Sequence, residues 1–286
     1  SAGGSRRRRG VVAAAQRRPF EWRARVRGFS SCGFSFESGG ALGRKRRSSN
    51  HFRTLLGFLN NYRKYGSNIP LFVYDLGLAA EEAEVVDRYR WATRRVFDYS
   101  RYPAYFNISV AAGEYAWKPV LFKEMLDETA DAVVWLDCGN RFNGRRRRSD
   151  PLPRLFDSVI GQGFLSDRTV NSTKRWCHRA TLAKLGHPDG LDVPMCSGAL
   201  LGASRADPAY DSVVTPWADC ARDRACIAPP GSSRLNHRQD QCTLTVVAHN
   251  KGYTCPRGHY SVKYHQDDEK HVPFFPRRQV HHMLPP

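Results

Sequence analysis

Between residues 69 and 137 the chain alternates short apolar runs with amphipathic ones, and that order admits few folds. "IPLFVYDLGL" is a β-rich run that stops at Asp75 and a glycine turn. "AAEEAEVVDRYRWATRR" carries acids first and bases last, the polarity that suits a helix dipole. "RVFDYS" then reads as a short strand. "YAWKPVLFKEMLDETAD" predicts a second helix, with Pro119 in its first turn, where a missing N–H costs nothing. "AVVWLD" is a continuous apolar strand of the kind buried on both faces of a parallel sheet. Strand, helix, strand, helix, strand implies right-handed crossovers and an α/β domain, a mostly parallel twisted sheet flanked by helices. Ahead of this series, "SSNHFRTLLGFLNNYRKYG" predicts a helix capped by Ser48 or Ser49 and ended by Gly66. Phe52, Leu55, Leu56 and Leu59 share one of its faces.

In sheets of this kind, ligands collect beyond the carboxyl ends of the strands, and Asp75 and Asp137 both stand there. Asp137 also suits a plain tight turn, because Asp-Cys-Gly-Asn is turn-forming. A functional reading needs Mg²⁺ or Mn²⁺ held between a carboxylate and a diphosphate. Two residues further on, where a second carboxylate would complete a D-x-D pair, the chain has Gly139, followed by Asn140 with a neutral oxygen. Lys118 opens the helix that leads into the Asp137 strand. The bland reading of that lysine is a solvated surface group, and Trp117, Trp135 and Trp217 read most simply as packing.

The second half is less regular. "LPRLFDSVIGQG" reads as a helix, "GFLSDR" as extended, "RATLAKLG" as a short helix and "CSGALLGAS" as a strand of small residues. "DPAYDSVVTPWADCA" reads as a helix interrupted at Pro216. "HRQDQCTLTVVAHN" puts Asp240 near the start of a helix. There is no Walker loop, G-x-G-x-x-G, H-E-x-x-H or G-x-S-x-G, so the familiar nucleotide, zinc-protease and serine-hydrolase signals are missing.

Charge is unevenly spread. Residues 1–47 hold 13 Lys/Arg against two acids, leaving 32 bases and 25 acids in the rest of the chain. The excess sits in a tail rich in Arg, Gly and Ser, expected to be mostly disordered, with a second knot at Arg145–Arg148. Such tails attract phosphates of any kind. No zinc-finger spacing, ribonucleoprotein motif or helix-turn-helix accompanies this one, so no specific nucleic-acid partner is expected. No run approaches eighteen apolar residues, so no membrane span is expected in the chain as given, and a signal or anchor would lie upstream. None of the eight cysteines forms a C-x-x-C pair. Cys220 and Cys226 are spaced to close a surface loop; buried free thiols are the alternative. The sequons at Asn107 and Asn171 fit a secretory lumen.

Taken in order and spacing, "SSNHFRTLLGFLNNY", "LFVYDLGL", "EYAWKPVLFKEML", "AVVWLDCGNRF", "MCSGALLG" and "HRQDQCTLTVV" resemble a family of eukaryotic glycosyltransferase-like proteins with a nucleotide-diphospho-sugar transferase fold. The resemblance covers residues 48–265. It leaves 1–47 as a basic segment and 266–286 as a tail. It implies a single GT-A-type domain, a nucleotide-sugar donor, a glycan or glycoconjugate acceptor, and a place in the secretory pathway, in the Golgi lumen. Carried over by position, Asp137, Asn140, Asp75, Lys118, Ser49, Asn50 and His51 fall on the donor side. Ser197, Gly198, Arg238 and Gln239 fall on the acceptor side, with Asp240 at the reacting centre. Asp137 and His265 are the candidate ligands for Mn²⁺ or Mg²⁺. Where the family has an apolar first strand just before Ser48, this chain has "GALGRKRR". Either "RVRGFSSCGFSF" supplies that strand from a distance, or it is lost and an inactive relative results. The competing classes are a GT-A-fold protein that binds glycan or phosphate without catalysis, and a basic nucleic-acid-associated protein.

Overall fold

The computed structural model describes residues 51–65, 69–128, 132–142 and 151–257, together with the strand backbones at 26–32 and 262–264. The order is β1 (Val26–Cys32), α1 (Phe52–Tyr65), β2 (Leu71–Asp75), α2 (Ala80–Asp87), β3 (Ala92–Val96), α3 (Trp117–Glu128), β4 (Ala132–Asp137) and β5 (Asn140–Phe142). Then follow α4 (Pro151–Gln162), β6 (Phe164–Ser172), α5 (Thr173–Trp176), α6 (Arg179–Lys184), β7 (Pro194–Ser204), α7 (Thr215–Arg222), α8 (Arg224–Ile227), α9 (Gln239–Asn250) and β8 (Val262–Tyr264).

Six strands form one sheet in the order β3-β2-β1-β4-β7-β6. The first four run parallel. β7 runs antiparallel to β4, and β6 antiparallel to β7. The sheet is therefore mixed, with three parallel pairings and two antiparallel ones. Strand direction depends on where the α4–β6–β7 segment docks, and that is invisible in the local pattern. Its consequence is functional. Because β7 is antiparallel, with Leu200 opposite Leu136, its N-terminal half arrives at the carboxyl end of β4.

β1 answers the question of the first strand. "VRGFSSC" lies between β2 and β4, with Cys32 paired to Asp75 and Ser31 to Asp137. Within the basic segment expected over 1–47, residues 26–32 form this strand. The rest of that segment, the Arg145–Arg148 knot and 266–286 lie outside the described residues. Residues 262–264 pair antiparallel with β5.

The first helix forms as its spacing requires, with Leu55, Phe58, Leu59 and Tyr62 buried on one face. α2 stops at Asp87, eight residues short of the expected end, and "ATRRV" becomes β3. Arg94 decides this boundary, because from β3 its guanidinium reaches both Asp87 and Asp75. Pro216 stands in the first turn of α7, after an irregular turn at Tyr210–Val214. β4 is buried from Ala132 to Leu136.

Three disulfides, Cys177–Cys242, Cys196–Cys255 and Cys220–Cys226, are formed, and Cys138 is disulfide-bonded as well. This replaces the buried-thiol reading. The first two bridges close loops of 65 and 59 residues, each worth about 4 kcal/mol in the chain-entropy account. Together they fasten α9 and the segment after it to α5 and β7.

Candidate active site

Asp137 ends β4 and Lys118 lies in the first turn of α3, the helix that precedes β4 in the chain. The Lys118 ammonium lies 3.0 Å from Asp137 Oδ1, donates to the Gly198 carbonyl at 2.8 Å, and forms an ion pair with Asp240 Oδ2 at 3.5 Å. Its three N–H groups thus have three oxygen partners from three different elements. Lys118 is 3% exposed and Asp240 7%, so the solvated-lysine reading is corrected. Burial alone would lower the Lys118 pKa, but Asp137 and Asp240 outweigh it and hold the ammonium charged. Burial lifts the Asp240 carboxyl above the usual aspartate range against the pull of Lys118, and Asp137 adds to the rise.

Three buried tryptophans brace the site through their indole N–H groups, two of them on the cluster itself. Trp135 donates to Asp137 Oδ1 at 2.8 Å, Trp217 to the Asp240 carbonyl at 2.8 Å, and Trp117 to the Ala112 carbonyl at 3.1 Å. They pack the core as expected, and each N–H also fixes a site element.

A cavity of about 460 Å³ opens over the cluster. Of the expected residues, Lys118, Asp137, Ser197, Gly198, Arg238, Gln239 and Asp240 line it together. Asn140 and Asp75 are not on its wall. Asn140 is buried, and its amide nitrogen donates to the Asp137 and Ala199 carbonyls, tying β5 to β7. Asp75 accepts from the N–H groups of Gly77 and Leu78 and pairs with Arg94. Its carboxylate closes the turn after β2, and β1 separates it from Asp137. His51 stands just ahead of α1 and is absent from the cavity wall. Ser49, Asn50 and His265 lie outside the described residues.

Several wall residues carried no signal in the sequence reading. Tyr115 is placed by an unusual turn in which Ala111, Ala112, Gly113, Glu114 and Tyr115 all have φ between 48° and 62°. Four of the five have a Cβ, and each costs about 1–2 kcal/mol there. Glu114 is held by the Gln239 amide at 3.0 Å, so this strained turn is locked to the start of α9. Arg234 lies over the Tyr115 ring at 4.6 Å and Arg238 over Trp176 at 4.3 Å. Trp176 precedes Cys177, whose bridge to Cys242 brings it to α9. That cysteine pair was the available clue.

The described residues do not fit a bound Mn²⁺ or Mg²⁺. The place between the two carboxylates is taken by the Lys118 ammonium, and Asp137 also accepts from Trp135. Among the described residues no group of three His, Cys, Asp or Glu could hold a metal ion.

No family model matches the chain, and no curated protein matches it. Among solved structures it is similar to mouse xyloside xylosyltransferase 1 in its apo form, with a TM-score of 0.44 and 12% identity, over 87% of this chain and 100% of that one. Among the described residues no helix is long and apolar enough to cross a membrane.

Proposed function

We propose that this protein is a GT-A-type glycosyltransferase that moves a sugar from a nucleotide-diphosphate donor to a hydroxyl of a glycan or glycoconjugate. The observation that carries this reading is the Lys118–Asp137–Asp240 cluster, set beyond the carboxyl end of β4 on the wall of one cavity. Two carboxylates with unlike environments divide the work. Asp137, with a quarter of its side chain exposed, accepts hydroxyls of the donor sugar. Asp240, buried and raised in pKa, is the base for the acceptor. The bond from sugar C1 to the diphosphate oxygen breaks, with its electron pair going to the diphosphate. C1 bonds to the acceptor oxygen, and the hydroxyl proton passes to Asp240.

The disulfides support an oxidising compartment, in keeping with the secretory pathway and the Golgi lumen. The test is to incubate the chain with UDP, GDP and CMP sugars and hydroxyl acceptors, following nucleotide release and glycan mass. Donor-dependent product that falls by about 100-fold or more in Asp240→Asn supports the reading. Donor binding without turnover on any acceptor would favour the non-catalytic relative instead.

A further inference from the structure

We propose that the donor diphosphate is bound without a divalent cation, on the guanidinium groups of Arg234 and of Arg238, which moves from the expected acceptor side to the donor side, and that Lys118 stands in for the metal between the two carboxylates. The proposal rests on the transferase reading above and deepens it.

Asp137, Asp240 and Lys118 together carry one net negative charge, and the ammonium already binds both carboxylates. A cation added there would have to displace a buried lysine held by three oxygens. The same cavity wall carries two further cations, Arg234 and Arg238. Neither has a carboxylate partner within ion-pair distance among the described residues. Both lie on aromatic faces, Tyr115 and Trp176, which limits their motion without using their N–H groups. Guanidinium offers paired donors that match phosphate oxygens and stays charged at any working pH. With these two arginines counted, the site's own side chains carry one net positive charge. A diphosphate would be attracted, and the negative charge that develops on it as the C1–oxygen bond breaks would be met by fixed donors.

The test is calorimetric titration of UDP, GDP and pyrophosphate into the full chain stripped of metals, first with EDTA and then with Mn²⁺ or Mg²⁺. The expected result is the same affinity with and without metal. Arg234→Ala and Arg238→Ala should each weaken binding by about 10- to 100-fold with unchanged melting temperature. Lys118→Ala leaves Asp137, Asp240 and the Gly198 carbonyl facing one another. It is expected to gain a Mn²⁺-dependent rise in melting temperature that the wild-type chain lacks. Nucleotide binding that requires Mn²⁺ or Mg²⁺ overturns the proposal and leaves the transferase reading standing. Binding indifferent to both arginine substitutions, or the same Mn²⁺-dependent rise in the wild type, also overturns it. No binding of any nucleotide under any condition sinks both.

Discussion

Trp135 donates its indole N–H to Oδ1 of Asp137, two residues further along the same strand, at 2.8 Å. Residues i and i+2 of a strand share a face, so an apolar run that places a tryptophan on the core side also aims the aspartate. Trp135→Phe keeps the packing and removes the donor. It should cost about 1 kcal/mol of stability and weaken donor binding several-fold, because Asp137 keeps Lys118 but loses the second group that fixes its rotamer. A thermal melt and a donor titration on the same sample check both halves.

Lys118 is the only cation that both Asp137 and Asp240 meet within 4 Å among the described residues. Lys118→Met leaves two buried or half-buried carboxylates facing each other and should cost about 3–5 kcal/mol. Adding Asp240→Asn should recover part of that loss, because the repulsion is then removed. Denaturant unfolding of the single and double variants measures the coupling. Strictly additive losses would deny it.

Gly198 tests the geometry of Asp240. A Cβ at this position would lie 2.8 Å from Asp240 Oδ2, too close for the carboxylate to stay where it is. Gly198→Ala should lower kcat by about 10- to 100-fold while the donor KM changes little, as initial-rate kinetics would show. An unchanged kcat would remove Asp240 from the reacting centre.

Two pH dependences follow from buried groups. His237 accepts from the His178 N–H at Nδ1 and contacts the Ile227 carbonyl through Nε2 at 2.9 Å. Burial pushes its pKa down to about 4, whereas in the unfolded chain it protonates near 6.5. Its contribution is complete above pH 6.5 and falls as pH drops toward 4, by about 3 kcal/mol in all. Unfolding measured across that window should show the slope in the wild type and lose it in His237→Gln. Asp240, raised by burial, should place the acid limb of kcat/KM above the pH at which an ordinary aspartate titrates.

The parts legible in the sequence are those governed by local pattern. An apolar run that ends at Asp137, a helix with Lys118 in its first turn and the "HRQDQ" start of α9 were all readable, and they meet on one cavity wall. What could not be read belongs to tertiary pairing. β1 is an interior strand although "VRGFSSC" is mixed in polarity, because β2 and β4 pair with its backbone on both sides. The antiparallel β7 follows from where its segment docks. The turn at Ala111–Tyr115 runs against the local preference of four of its residues, so no propensity could foretell Tyr115 on the wall. Asp75 was legible as a strand-end carboxylate, yet its partners Gly77, Leu78 and Arg94 make it a turn closure.

The most direct test of the central claim is a calorimetric titration of UDP, GDP and CMP sugars into the wild-type chain and into Asp137→Ala, with the fold of each verified by circular dichroism. Saturable binding of a diphosphate donor to the wild type is expected, with affinity at least about tenfold weaker in the variant. Binding of no donor to the wild type, or equal binding to both proteins, would contradict it.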